Sequence, residues 1–151
     1  MLNTLDVLDQ LGPRLADDVR DSQSRKNLRA SGRSAASVRH LATQNGRRAK
    51  LQLLGSAYFR FQQNGRGPNR SGKPSREMVD ALRDWTKRRG LPVRAAYPIA
   101  LNIARKGIKV PNPYNPGGVL SDVLNRKRIV GLLKPPLKAQ LVADVRSLIF
   151  A

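Results

Sequence analysis

An excess of 19 positive charges over 151 residues, unevenly spread, is what most limits how this chain can fold. Residues 1–21 hold five Asp against Arg14 and Arg20, a net of −3, so residues 22–151 carry 27 basic and five acidic residues, a net of +22. Like charge at that density opposes compaction and has to stay at the surface, where it favours association with polyanions. The chain therefore works beside nucleic acid or an acidic protein surface; charge that serves only solubility is the plainer alternative. Apolar residues make up 40% of the sequence but aromatics only 5%, so the core that the cations surround is modest and built from Leu, Ile and Val. A chain of this length builds one such core.

The apolar pattern predicts an α+β domain over 1–151, a long N-terminal helix packed on a small antiparallel sheet with further short helices. It divides into an acidic helical segment 1–21, a basic α+β body 22–125 and a C-terminal helical segment 126–151. Leu2, Leu5, Leu8 and Leu11, then Leu15, Val19 and Leu28, form an apolar stripe interrupted at Gly12-Pro13, which reads as one or two helices with a break or kink there and a regular helix over about 13–29. Alternation over 38–43 and 49–53 around Asn45-Gly46 predicts a hairpin. Tyr58-Phe59-Arg60-Phe61 alternates as well, placing a third strand at 57–63 with Phe59 and Phe61 on one face. Ser75 is the expected N-cap of a helix bearing Met78, Leu82 and Trp85, stopped at Gly90 and packed on the sheet through Trp85. A further helix is expected over 95–106, ending at Gly107, then a short helix at 119–125 and a last one after Pro135-Pro136 that carries Leu137, Leu141, Val145 and Leu148. Between these lie two glycine- and proline-rich loops, 64–73, expected to be mobile or ordered by a partner, and 111–118.

Several chemistries are excluded by composition. Without cysteine there are no disulfides, thiolate zinc sites or cysteine nucleophiles. His40 is the single histidine and Glu77 the single glutamate, a poor donor set for a transition metal. No apolar run approaches membrane-spanning length and the N-terminus lacks a signal pattern, so the expectation is a soluble cytoplasmic product. The stretch 65–73 has neither the spacing nor the strand-to-helix context of a phosphate loop, and Ser31, Ser34 and Ser37 near His40 read as cap and turn residues. The chain is expected not to be an enzyme and to need no cofactor. Phosphate contact demands only positive donors at suitable spacing, which makes Arg47, Arg48 and Lys50 on the hairpin, and Arg66, Arg70, Lys73 and Arg76 further on, the candidates for facing DNA.

The order of motifs carries a resemblance. A basic helix ending in Ala30-Ser31-Gly32-Arg33-Ser34-Ala35-Ala36-Ser37, a hairpin, the Tyr58-Phe59-Arg60-Phe61 segment leading into Gly65-Arg66-Gly67-Pro68, a helix with Trp85, and an Ala95-Ala96 to Gly107 helix resemble small phage neck and tail-completion proteins over about residues 25–125. The resemblance implies a non-enzymatic virion protein at the head-to-tail neck, assembled in the host cytoplasm as a ring of identical copies between portal or connector and tail proteins. It implies subunit or neck contacts through Arg33, Tyr58, Arg66, Pro68 and Tyr114, a basic lumen that touches packaged DNA, and an acidic segment 6–21 that meets the cationic face of the next copy. The unusual charge and the apolar C-terminal helix depart from the pattern. A free, sequence-independent nucleic-acid-binding protein is the rival reading, with tight salt-sensitive binding to bare nucleic acid and no place in the virion.

Overall fold

A computed structural model describes residues 4–149 and has the expected α+β architecture. The helices are α1 (Thr4–Arg25), α2 (Arg33–Ala36), α3 (Tyr58–Asn64), α4 (Arg76–Arg88), α5 (Ala96–Lys106) and α6 (Arg126–Ile149). Strands β1 (Arg39–Asn45) and β2 (Arg48–Leu54) form one antiparallel hairpin between α2 and α3.

Helix α1 runs unbroken through Pro13, where the sequence suggested a break. Proline removes one helical hydrogen bond and costs about 3 kcal/mol in a helix interior, but Val7, Leu11, Leu15, Ala16 and Val19 form one buried face on both sides of it, and that continuous burial offsets the lost bond. Gly12 lets the hairpin approach: a side chain there would run into the His40 imidazole, which lies 3.3 Å from the Asp9 carboxylate. Leu2, the first member of the expected stripe, lies outside the described residues. The helix also ends at Arg25, short of the expected 29. Asn27, with φ at 55°, turns the chain, and the Arg89 guanidinium holds that turn through the Asn27 side chain and carbonyl at 2.9 and 2.6 Å.

The hairpin pairs Arg39 with Leu54 through Asn45 with Arg48, so the two-residue turn is Gly46-Arg47, with Gly46 at φ 59° in its first position and Asn45 still in the strand; Gly in that first position is what one of the two favoured hairpin turns requires. The expected third strand does not form. Residues 58–64 are helix α3, entered through a turn in which the Ser56 hydroxyl and carbonyl accept from the Tyr58 and Phe59 amides. The aromatic alternation misled because Phe59 is buried while Phe61 stays 43% exposed. What α3 actually buries is Phe59 with Gln62, three residues apart, the helical spacing.

One small core unites α1, the residue before β1, α3 and the turn at 119–125: Ala16, Val19, Val38, Phe59, Val119 and Val123. A buried polar network lies beside it. The Gln23 amide donates to Ser34 Oγ at 2.7 Å and to Gln62 Oε1 at 2.9 Å, and the Gln62 amide donates to the Leu28 carbonyl at 3.0 Å. Gln63 accepts from the Leu120 amide at 2.8 Å and fixes the 119–125 segment, which forms helical turns in place of the expected short helix.

Helix α4 starts at the expected cap, with Ser75 Oγ accepting from the Met78 amide at 3.2 Å. It packs on α5 and on the 3₁₀ turn Val93–Ala95, not on the hairpin, and it buries Val79 and Thr86 while Trp85 is only half-buried. Helix α6 begins nine residues before the proline pair, with Asn125 Oδ1 accepting from the Arg128 amide at 2.9 Å at its N-terminus. It packs on α1, where Arg128 and Asp18 pair at 2.6 Å, and it buries no residue.

Candidate nucleic-acid interface

Helices α3 and α5 end alike. Each closes on a glycine whose φ near +70° only glycine adopts readily, Gly65 at 75° and Gly107 at 72°. The next residues pair in both directions, the Arg66 amide donating to the Ile108 carbonyl at 2.9 Å and the Ile108 amide to the Arg66 carbonyl at 2.8 Å. A Cβ on Gly65 would overlap the Ile108 carbonyl, and one on Gly107 would overlap the Arg66 carbonyl. The two helix ends are thus locked together, backbone on backbone.

This joint lays residues 66–73 along the end of α5. The Asn69 amide donates to the Ala104 carbonyl at 2.7 Å, the Asn69 side chain donates to the Lys73 carbonyl at 2.9 Å, and the Gly72 amide donates to the Asn69 carbonyl at 3.0 Å. Gly72 lies against the Arg105 side chain. The stretch expected to need a partner for its order is therefore fixed by its own chain. Two cationic segments come side by side: Arg66, Arg70 and Lys73 from the loop, Arg105, Lys106 and Lys109 from the end of α5 and beyond it.

Counter-charge is missing from both segments. Residues 22–76 and 85–121 contain no Asp or Glu. Elsewhere five carboxylates pair with a cation of the chain: Asp17 with Arg20, Asp18 with Arg128, Asp122 with Lys26, Asp84 with Arg88, and Asp80 with Arg83. In the ridge, Arg66 bonds the Asn69 side chain and stands 5.8 Å from the Phe61 ring centroid. Arg70, Lys73, Arg105, Lys106 and Lys109 are exposed and belong to none of the ion pairs among the described residues.

The structure separates the other candidates. Arg47, Arg48 and Lys50 are exposed at the far end of the hairpin, which packs on α1, so they sit on a different element from Arg70 and Lys73. Arg76 opens α4 and is 3.9 Å from Asp80. Arg33 is exposed at the start of α2, where its backbone N–H and guanidinium donate to Ser31 Oγ. Tyr58 is half-exposed; burial raises its phenol above the ordinary value of 10.0, with the nearby Arg89 charge working the other way. Pro68 is exposed in the ridge loop, and Tyr114 is 91% exposed at the tip of the 111–118 loop, which Asn115 ties to the Gln62 carbonyl at 2.9 Å. Sequence reasoning overlooked Arg105, Lys106 and Lys109; the absence of any acid over 85–121 was the signal that could have found them.

The serines near His40 have structural roles, Ser37 Oγ donating to the Ser34 carbonyl at 2.6 Å and accepting from the Ser56 amide at 2.8 Å. Among the described residues no three His, Asp or Glu side chains gather as a metal site would require, and no helix is long and apolar enough to cross a membrane. Comparison with protein-family models, with curated proteins and with solved structures finds no match.

Proposed function

We propose that this chain is a structural protein of a tailed-bacteriophage virion, part of the head-to-tail neck, where copies form a ring that joins portal-side proteins to the tail. The observation that carries this reading is α6. No residue of this 24-residue helix is fully buried: Ile129, Leu132, Leu133 and Leu137 in its first half are partly covered, whereas Leu141, Val142, Val145, Leu148 and Ile149 in its second half are all exposed. Apolar surface of that extent on one element is characteristic of a protein completed by its neighbours. The motif order from Ala30 to Gly107 supports the same reading, with Tyr114 and Pro68 as projecting points for subunit contact. Assembly is then the whole task, with no reaction carried by the chain.

Electron microscopy of particles carrying a tagged copy tests it. Label at the junction of head and tail is expected, and loss of the protein should leave filled heads and tails that do not join. Mature particles free of label would overturn the reading and leave the free nucleic-acid-binding protein in its place.

A further inference from the structure

We infer that the ridge formed by Arg70, Lys73, Arg105, Lys106 and Lys109 is a binding site for the phosphate backbone of duplex DNA, independent of base sequence. This does not depend on where the protein resides.

Three observations lead there. First, the five cations come from two segments that the Gly65–Gly107 joint and the Asn69 bonds hold side by side, so their mutual repulsion is built into the fold and not relieved by drifting apart. Second, neither segment contains a carboxylate, whereas Arg20, Lys26, Arg83, Arg88 and Arg128 elsewhere have one. A fold that places cations together and supplies no counter-charge leaves that role to a polyanion, and counterions released from it make the binding favourable. Third, the two segments that carry the five, 66–73 and 104–109, contain no aromatic residue, and the partly exposed Phe61 ring beside them already has the Arg66 guanidinium 5.8 Å from its centroid. Single-strand sites stack bases on open aromatic faces; a ridge of point charges suits the doubled charge density of a duplex instead. Contacts from such side chains to phosphates carry no base information, so they position the duplex without selecting a sequence.

The test is fluorescence anisotropy of a labelled mixed-sequence duplex against the full chain at several salt concentrations. The ridge variant carries Arg70→Gln, Lys73→Gln, Arg105→Gln, Lys106→Gln and Lys109→Gln. A control of equal net charge carries Arg126→Gln, Lys127→Gln, Lys134→Gln, Lys138→Gln and Arg146→Gln, all exposed on α6. Each neutralised phosphate contributes about 0.9 to the slope of log K against log salt. The ridge variant should therefore lose about 4.5 from the slope, while the control keeps most of it. Should the fivefold variant not fold, Arg70→Gln with Lys73→Gln and Lys109→Gln should lose about 2.7. Equal losses in ridge variant and control would mean that net charge alone binds, and the proposal fails. It fails equally if Arg47→Gln, Arg48→Gln and Lys50→Gln remove the larger share of the slope, or if a single strand of the same sequence binds more tightly than the duplex.

Discussion

Helices α1 and α6 are nearly equal in length, at 22 and 24 residues, and both run through proline, yet one buries eight residues and the other none. The difference lies in what surrounds them. The hairpin, α2 and the 119–125 turn close over α1, and Arg20 binds it to that layer through the Ala35 and Val38 carbonyls at 3.2 and 2.6 Å. Helix α6 lies beside α1 through its first half, from the Arg128–Asp18 pair to Pro136, and extends from there with Leu141, Val142, Val145, Leu148 and Ile149 uncovered. Length therefore does not decide which helix organises a fold; a continuous apolar face and the number of other elements that reach it do.

The contrast can be broken by substitution. The largest loss is expected in the joint that completes the body around α1: Gly107→Ala sets a side chain at φ 72° against the Arg66 carbonyl, and strain plus overlap should cost at least about 3 kcal/mol in urea unfolding. Leu15→Ala, at a residue 3% exposed on α1, should cost about 2–4 kcal/mol in the same measurement. Gln62→Ala takes from the buried Gln23 amide one of its two acceptors and from the Leu28 carbonyl the Gln62 donor, and should cost about 1–3 kcal/mol. Against these, Leu141→Ala or Leu148→Ala on α6, 64% and 76% exposed, should stay within about 0.5 kcal/mol. Were either α6 change as costly as Leu15→Ala, the two helices would not differ as described.

A last and smallest effect sharpens the contrast by pH. The Tyr58 phenol on α3 is raised above 10.0 in the folded chain, chiefly by burial. A raised value means the folded state holds that proton more tightly, so its contribution to stability is complete below pH 10.0 and is lost as pH climbs through the folded-state value. Unfolding measured across the alkaline range should show Tyr58→Phe less sensitive than the parent chain.

Much of this was legible in the sequence where local chemistry settles local structure. The hairpin turned at Gly46 as the Asn45-Gly46 pair signalled, one residue later than that pair itself, Ser75 capped α4, and Gly107 ended α5, each through bonds within a few residues. The errors arose where distant contacts decided. Pro13 suggests a break only if the buried face on either side is ignored. Tyr58 to Gln63 alternates like a strand, but the partners of Gln62 and Gln63 lie on α1 and in the 119–125 turn, far along the chain. The cationic ridge was half visible for the same reason: Arg70 and Lys73 stood out in their loop, while the placement of Arg105 beside them depends on a backbone joint that no single segment displays.

That joint has a topological consequence. The chain leaves the body at Arg66 and comes back at Ile108, and those two residues are clasped to each other, so everything between them, α4 and α5 included, hangs from one buckle. The far end of this excursion is moored a second time, where Arg89 grips the turn after α1. A strap fastened at both ends cannot swing; whatever rests on the ridge is carried by a platform whose position is set by the same helix that holds the core.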